Sequence, residues 1–315
     1  MSGINSQLGG GTSPRSPFQR SSRTSSGLPA SPSRVGHETD RQDLKIELGA
    51  VQETLIIPLW ARAKEAEKSD PIINDIYAKQ IVAGINYDFS KFETRYMENH
   101  QLVWSIRAYN FDICIREFLK HNSGAAVINI GAGLDTTFQR VDNGNVLWIN
   151  IDLPDAAALR QKLIPDSERE ITIARSVFDY NWMAEIAQQI KGRSVLFMAA
   201  GVLCYFEVSQ VEALFRKLAD AYPSAHVLFD AMSRFTVWVS NRAVLRKSGM
   251  DSSALLRWHL KRASYLKKWV NTIQVIEEYS MFSRVPIKDD WSKKLKRDMR
   301  IARCLPLYRM VHVQL

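Results

Sequence analysis

Five short apolar runs spaced through residues 126–230 constrain this chain more than any other feature. AVINI (Ala126 to Ile130) closes on Gly131, and VLWINI (Val146 to Ile151) closes on Asp152. A third run, Thr172 to Phe178, ends at Asp179; VLFMA (Val195 to Ala199) is the fourth; HVLF (His226 to Phe229) ends at Asp230. Near-continuous apolar runs of this length suit parallel strands covered on both faces. After the fourth run, Ser209 to Glu212 reads as a capping box, and Val211, Leu214, Phe215 and Leu218 line one face of a helix that Pro223 stops. Strand and helix alternating in this way predict an α/β protein with a doubly wound, Rossmann-like sheet.

The flanks are helical. From Met97 to Leu119 the stripe Leu102, Ile106, Tyr109 and Ile113 repeats at the helical period, so residues 44–122 are expected to form a helical cap ahead of the sheet. Residues 232–269 read as a basic helical lid inserted after the fifth strand. Two more strand candidates, Ile273 to Phe282 and Tyr308 to Leu315, flank a polar helix from Asp289 to Arg303, which assigns the sheet core to 123–231 and 270–315. Residues 1–43, rich in Ser, Gly, Pro and Arg, cannot bury enough surface to offset the entropy of ordering and read as a disordered tail. With no acid before Glu38, that tail also has the composition of an organellar transit peptide, though without its amphipathic period. A plain extension on a cytoplasmic protein is the expectation.

Cys114, Cys204 and Cys304 are scattered and odd in number, which argues for thiols in a reducing compartment and against a metal site. The longest apolar stretch, Val195 to Phe206, falls short of the roughly 20 residues that cross a bilayer. The net charge of +9 is concentrated: nine basic residues lie between Arg234 and Lys268 against Asp251 alone, and six more between Lys293 and Arg303. Such blocks are most simply solvated helix faces, but they also suit an anionic substrate, a membrane surface or a nucleic acid.

The chemistry centres on NIGAGLDTTF, residues 129–138. Gly131 and Gly133 follow a strand, where missing side chains let a ligand approach the backbone and permit positive φ. Asp152, at the end of the next strand and 21 positions beyond Gly131, can accept hydrogen bonds from two vicinal ribose hydroxyls. Strand, glycine turn and acid together indicate an adenosine-containing cofactor, either a dinucleotide or S-adenosylmethionine. Asp135 stands where a pyrophosphate would be repelled, which favours the cofactor carrying a sulfonium and an ammonium. Asp135 can also cap the helix that begins near Thr136.

In GAGLDTTFQR (Gly131 to Arg140), IDLPD (Ile151 to Asp155), SVFDYNW (Ser176 to Trp182) and GVLCYF (Gly201 to Phe206), with LIIPLWARAKE (Leu55 to Glu65) and the Arg107/Asp112 pair upstream, the chain resembles the leucine carboxyl methyltransferase family. Within it, the branch of tetracenomycin polyketide synthesis O-methyltransferases is the most similar, and the resemblance runs from about Val51 to Leu315. It implies a class I S-adenosyl-L-methionine-dependent methyltransferase of seven strands, the last antiparallel to its neighbours. It further implies that Arg107 grips the cofactor's carboxylate, that Gly131 underlies the methionine moiety, and that Asp152 with Leu153 holds the ribose side. Asp179 and Tyr180 would lie near the adenine, and Arg62 would close over the cofactor. Ala200 marks a departure, since the carboxyl methyltransferases carry a glutamate there.

The resulting expectation is an O-methyltransferase acting on a carboxylate or hydroxyl of a small molecule, with anionic acceptors favoured by the basic insertion, Tyr205 lining the acceptor pocket and no metal. A protein C-terminal carboxyl methyltransferase is the nearest alternative. A catalytically silent cofactor binder, suggested by Ala200, and a nucleic-acid-binding protein, suggested by the basic blocks, are the others. No Asn/Asp-Pro-Pro-Tyr signature of base methylation appears in the sequence.

Overall fold

The structure, a computed structural model, describes residues 44–45, 50–93, 95–247 and 255–315. The expected tail, residues 1–43, lies outside them. Seven strands form one sheet: β1 (Ala126–Ile130), β2 (Leu147–Asp152), β3 (Glu170–Ala174), β4 (Val195–Ala199), β5 (His226–Met232), β6 (Gln274–Ser280) and β7 (Tyr308–Gln314), in the order β3-β2-β1-β4-β5-β7-β6. β1 to β5 pair in parallel, whereas β7 runs antiparallel to both β5 and β6. The winding reverses between β1 and β4, so the carboxyl ends of those strands open the crevice where ligands bind in sheets of this kind.

All of β1 is buried, as a central parallel strand covered on both faces requires. Two asparagines nevertheless sit inside β1 and β2. Asn129 and Asn150 are register partners, and Asn129 Nδ2 donates to Asn150 Oδ1 at 3.2 Å. Asn150 Nδ2 in turn donates to Glu170 Oε1 at 3.1 Å, and Trp148 Nε1 reaches Asn150 Oδ1 at 3.1 Å. This polar ladder satisfies groups that would otherwise be costly inside the sheet. It also corrects the third strand, which starts at Glu170 and stops at Ala174 rather than continuing to Phe178. Glu170, the buried first residue of this edge strand, is tolerated because Arg160 neutralises it, with Nη2 and Oε1 2.6 Å apart. Beyond Ala174 the Asp179 N–H donates to the Ser176 carbonyl at 2.9 Å, closing a turn that ends the ladder.

Ahead of the sheet lie α1 (Ala50–Glu65), α2 (Ile76–Gly84) and the long α3 (Arg95–His121). Ile106 of the expected stripe is fully buried, while Leu102 and Tyr109 pack at the edge of the same cluster with β1 and β4 side chains. Short helices α4 (Thr137–Val141), α5 (Pro154–Leu163) and α6 (Asn181–Ile186) follow the first three strands, and α7 (Val208–Ala221) follows β4. The buried face of α7 is the expected Val211, Leu214, Phe215 and Leu218. Its capping box lies two residues earlier than Ser209–Glu212. Glu207 takes the extended cap conformation, and its N–H donates to Gln210 Oε1 at 2.9 Å.

Among the described residues of the expected lid, the α-helical part is α8 (Arg234–Lys247). From 255 onward the chain is extended before a 3-10 stretch, Ala263–Lys268. Trp258 and Leu260 alternate inward with a period of two, and their backbone N–H groups donate to the carbonyls of Cys204 (3.1 Å) and Met232 (3.0 Å) rather than to a helix. Both side chains, with Ala263 and Leu266, belong to the same apolar cluster as Phe215 and Phe229. The last helix, α9, runs Lys293–Cys304, between β6 and β7.

Trp258→Ala is therefore expected to lower unfolding stability by about 3–5 kcal/mol, as loss of a core aromatic does; urea denaturation would show this, and a change below about 1 kcal/mol would contradict a core role. A second expectation concerns His226 Nδ1 and His312 Nε2, 2.8 Å apart across β5 and β7. Burial, then the proximity of His226, pushes His312 down to about 4. A depressed histidine binds protons more readily unfolded, so stability is retained above about 6.5 and lost as pH falls toward 4. Urea midpoints measured between pH 7 and 5 should fall, and His312→Gln should flatten that slope.

Candidate functional site

The glycine turn after β1 carries Gly131 at φ +64° and Gly133 at φ +46°, a region only glycine enters without strain. A Cβ on Gly131 would lie 2.5 Å from Val202, a side chain of the loop after β4. The turn is held from both sides through its carbonyls. Arg62 of α1 donates Nη2 to the Leu134 carbonyl at 2.8 Å, while Arg160 of α5 donates Nη1 to the carbonyls of Gly133 (3.1 Å) and Asp135 (2.7 Å). Three successive carbonyls are thus captured by two buried guanidinium groups.

Arg62 does this as part of a buried charge cluster. Asp75, with no exposed surface, accepts from Arg62 Nε (2.8 Å), Arg140 Nη1 (2.7 Å), Thr136 Oγ1 (2.5 Å) and the Ala78 N–H (2.9 Å). Arg140 also grips Asp112 of α3 with two parallel bonds, at 2.8 and 2.9 Å. Burial alone would push the Asp75 carboxyl up, but Arg140 and Arg62 outweigh it and hold it below the usual carboxylate range. For Asp112 burial wins over Arg140, and its carboxyl is raised. All three guanidinium nitrogens of Arg62, the residue expected to close over a cofactor, bond within the protein here, the third to the Pro58 carbonyl at 3.1 Å. Arg62 pins the helical cap to the turn.

Asp135 takes the capping role open to it. Its carboxylate accepts from the Thr137 N–H (3.2 Å), the Thr137 hydroxyl (2.9 Å) and Asn129 Nδ2 (3.2 Å). Asp152 ends β2 beside the turn. Oδ2 accepts the Gly133 N–H at 2.6 Å and Oδ1 accepts the Leu153 N–H at 2.8 Å, leaving each oxygen further lone pairs. Burial raises its carboxyl despite those two N–H bonds. Next to it Leu153 keeps 47 % of its surface exposed, an apolar plate at the strand tip. Asp179 and Tyr180 lie on the turn after β3. Asp179 pairs with Arg175 at 2.8 Å, which holds its carboxyl low, and the Tyr180 ring packs toward the core with Lys217 Nζ 5.7 Å from its centroid.

On the other side of the crevice, α3 brings Arg107 over the loop after β4. A Cβ on Gly201, at φ +72°, would lie 2.6 Å from Arg107 Cζ, so only glycine leaves room for that guanidinium. Asp230 of β5 completes the arrangement: Oδ1 accepts the Gly201 N–H at 2.5 Å, and Oδ2 lies 3.9 Å from Arg107 Nη1. Burial raises the Asp230 carboxyl although Arg107 opposes it. Among the described residues the Arg107 donors make no hydrogen bond, and 18 % of the side chain is open. A guanidinium so placed can hold a carboxylate. Ala200 is half-buried against the α3 side of the sheet. Tyr205 keeps 41 % of its surface exposed, yet desolvation of its hydroxyl pushes its pKa to about 12. His259 is exposed. Asp230, Asp75 and Arg160 were not singled out by sequence as site residues; only Asp230's place at a strand end hinted at it.

These groups suit S-adenosyl-L-methionine. The side-chain-free turn admits a close ligand, Asp152 retains acceptor capacity, and Arg107 has donors to spare. No group of three or more metal-ligating side chains occurs among the described residues.

The sequence profile of the family described as leucine carboxyl methyltransferase matches residues 56–219. The tetracenomycin polyketide synthesis O-methyltransferase TcmP of Streptomyces glaucescens is 29 % identical over 238 residues, 75 % of this chain and 85 % of that protein. An S-adenosyl-L-methionine-dependent methyltransferase of Gibberella zeae, dpfgK, is 28 % identical over 249 residues, 71 % of this chain and 83 % of that one. In fold, a DUF574-family protein of Streptomyces avermitilis superimposes with a TM-score of 0.53 at 10 % identity, covering 84 % of this chain and 99 % of its own. A Thermobifida fusca protein described as a methyltransferase gives 0.50 at 13 % identity, over 81 % and 93 %.

Asp75→Asn would leave two buried guanidinium groups short of a counter-charge. It is expected to cost about 3–5 kcal/mol, the range for breaking a buried ion pair from one side, measured by urea denaturation. A loss under about 1 kcal/mol would show that the cluster does not hold the cap to the turn.

Proposed function

The chain belongs to the leucine carboxyl methyltransferase family, and from that premise we propose that it methylates an oxygen, carboxylate or hydroxyl, of a small molecule. Its class is that of S-adenosyl-L-methionine-dependent methyltransferases, and the cofactor supplies a methyl group made electrophilic by its sulfonium. The observation that carries the reading is Asp152, fastened to Gly133 at the tip of β2 with acceptor capacity left over. It would take hydrogen bonds from the vicinal ribose hydroxyls. Arg107, held by Asp230 and seated on Gly201, would take the cofactor's carboxylate. Leu153, exposed beyond Asp152, would lie under the nucleoside, with Asp179 and Tyr180 further along the same edge. Asp135 supports this site by fixing the first turn of α4, a role compatible with facing the cofactor.

In-line methyl transfer asks the protein to position the acceptor oxygen and exclude water. Tyr205 stands at the carboxyl edge after β4, and with its pKa near 12 it stays protonated at neutral pH. It can donate a hydrogen bond to an acceptor but cannot remove its proton. That favours an acceptor already ionised at neutral pH, such as a carboxylate, over a phenol, whose ordinary pKa is about 10. Asp230 remains as a carboxylate beside Arg107 although Ala200 carries none, which supports retained cofactor binding.

Calorimetry tests the cofactor assignment. Asp152→Asn is expected to weaken S-adenosyl-L-methionine binding by about 10- to 100-fold, the scale of one charge-assisted hydrogen bond. Because burial raises the Asp152 carboxyl, wild-type affinity should fall on acidification at a pH above the usual carboxylate value of about 3.9, and the variant should lose that dependence. Unchanged binding by Asp152→Asn would reject the role. For the acceptor, labelled methyl groups that appear in small molecules and are released as methanol by mild base would mark a carboxylate.

A further inference from the structure

We propose that the outer faces of α8 and α9 form one docking surface for a lipid bilayer bearing anionic headgroups. α8 is turned against the usual pattern. Thr236 and Val237 are buried, while Phe235 (63 % exposed), Trp238 (57 %) and Val239 (43 %) face outward with Arg242, at i, i+3, i+4 and i+7. The two rings lie 6.3 Å apart, and the Arg242 guanidinium sits 5.6 Å from the Trp238 centroid. Solvent exposure of a Phe–Trp pair on a single helical stripe is a feature of surfaces that are covered in use.

α9 carries the matching charge. Leu295, Met299 and Ala302 pack inward, and Lys293, Lys294, Arg297 and Arg300 point out, with Ile301 52 % exposed and Leu305 beyond the helix 41 % exposed. Across both helices Asp298 is the only acid against ten Lys and Arg, and Lys294 and Arg297 already share it. Asp289 and Asp290 temper the charge only ahead of the first turn of α9.

The start of α8 is tied to the chain just beyond α9. The Ser233 N–H and the Thr236 hydroxyl, at the start of α8, both donate to the Leu307 carbonyl, at 2.9 and 3.0 Å, three residues past the end of α9. The pairing of Met232 with Tyr308 puts this junction at the carboxyl edge of β5, the edge that also carries Gly201 and the Arg107 guanidinium. Docking there would present the candidate site to the bilayer surface.

The chemistry selects the occupant. Trp and Phe rings with aliphatic tips enter the headgroup–acyl boundary while arginines and lysines stay at the phosphates. Each basic side chain near an anionic leaflet adds attraction that salt screens. A nucleic acid would use the same arginines but leave Val239, Ile301 and Leu305 in water. No described helix is long and apolar enough to cross a membrane, so the contact is peripheral.

The full chain would be sedimented with phosphatidylcholine vesicles and with phosphatidylcholine/phosphatidylserine vesicles of equal area. Wild type is expected to pellet with the mixed vesicles and to be released by salt. Phe235→Ser/Trp238→Ser should lower partitioning at least about tenfold, as loss of buried aromatic area predicts. Arg234→Glu/Arg242→Glu/Arg300→Glu should abolish the preference for anionic vesicles. Circular dichroism and urea midpoints identify folded variants, and if the double variant fails to fold, Val239→Ser/Ile301→Ser, which touches only exposed tips, is read in its place. The proposal is overturned if wild type stays in the supernatant with mixed vesicles, if a folded variant lacking the apolar tips pellets as wild type does, or if duplex DNA competes for the surface while vesicles do not bind.

Discussion

Three consecutive carbonyls of the glycine turn, Gly133, Leu134 and Asp135, end on the buried guanidinium groups of Arg62 and Arg160. Everything at the cofactor edge follows from that capture. A turn with two glycines in the left-handed region is entropically free to move unless its polar groups are fixed. With its carbonyls taken from outside, the turn is free to offer its other side to a ligand, and the Gly133 N–H sets the Asp152 carboxylate. The cap helices are the scaffold for the capture on one side and α5 on the other. Each arginine needs a buried acid beside it, Asp75 for Arg62 (shared with Arg140) and Glu170 for Arg160, since an unpaired buried charge would cost more than the turn gains.

The opposite wall of the crevice is arranged by a similar economy. Gly201 is bare so that Arg107 can lie against the loop after β4, and Asp230 reaches from β5 to hold both. Ala200 brings no carboxylate to this wall, and the acid beside Arg107 is Asp230, from the strand next to β4. Rigid strands thereby supply Asp152 and Asp230, while the loops between them contribute backbone groups. That division suits a reaction whose protein contribution is chiefly placement.

Much of this was legible in the chain itself. The runs from Ala126 and Val195 form strands at their expected boundaries because central parallel strands need unbroken apolar sequence. The third strand was misplaced because Glu170, a charged residue, opens it, and only the partner Arg160 makes that burial tolerable. The lid was misread because basic residues around Trp258 and Leu260 mimic a solvated helix, whereas the alternation of those two apolar side chains records an extended segment on the sheet. Arg62 illustrates a different limit: a basic residue in a helical cap looks the same in sequence whether it faces a ligand or a buried aspartate 13 positions away.

The sequence by itself determined the α/β alternation, the glycine turn and the acid at the tip of the second strand, because apolar period, missing side chains and strand ends are local properties of neighbouring residues. Which charges meet was decided only by the tertiary structure. Asp75 with Arg140, Arg160 with Glu170 and Arg107 with Asp230 are 65, 10 and 123 positions apart. A buried ion pair is stable only when both partners lose water at one point in space, and no pattern along the chain records where distant segments come together.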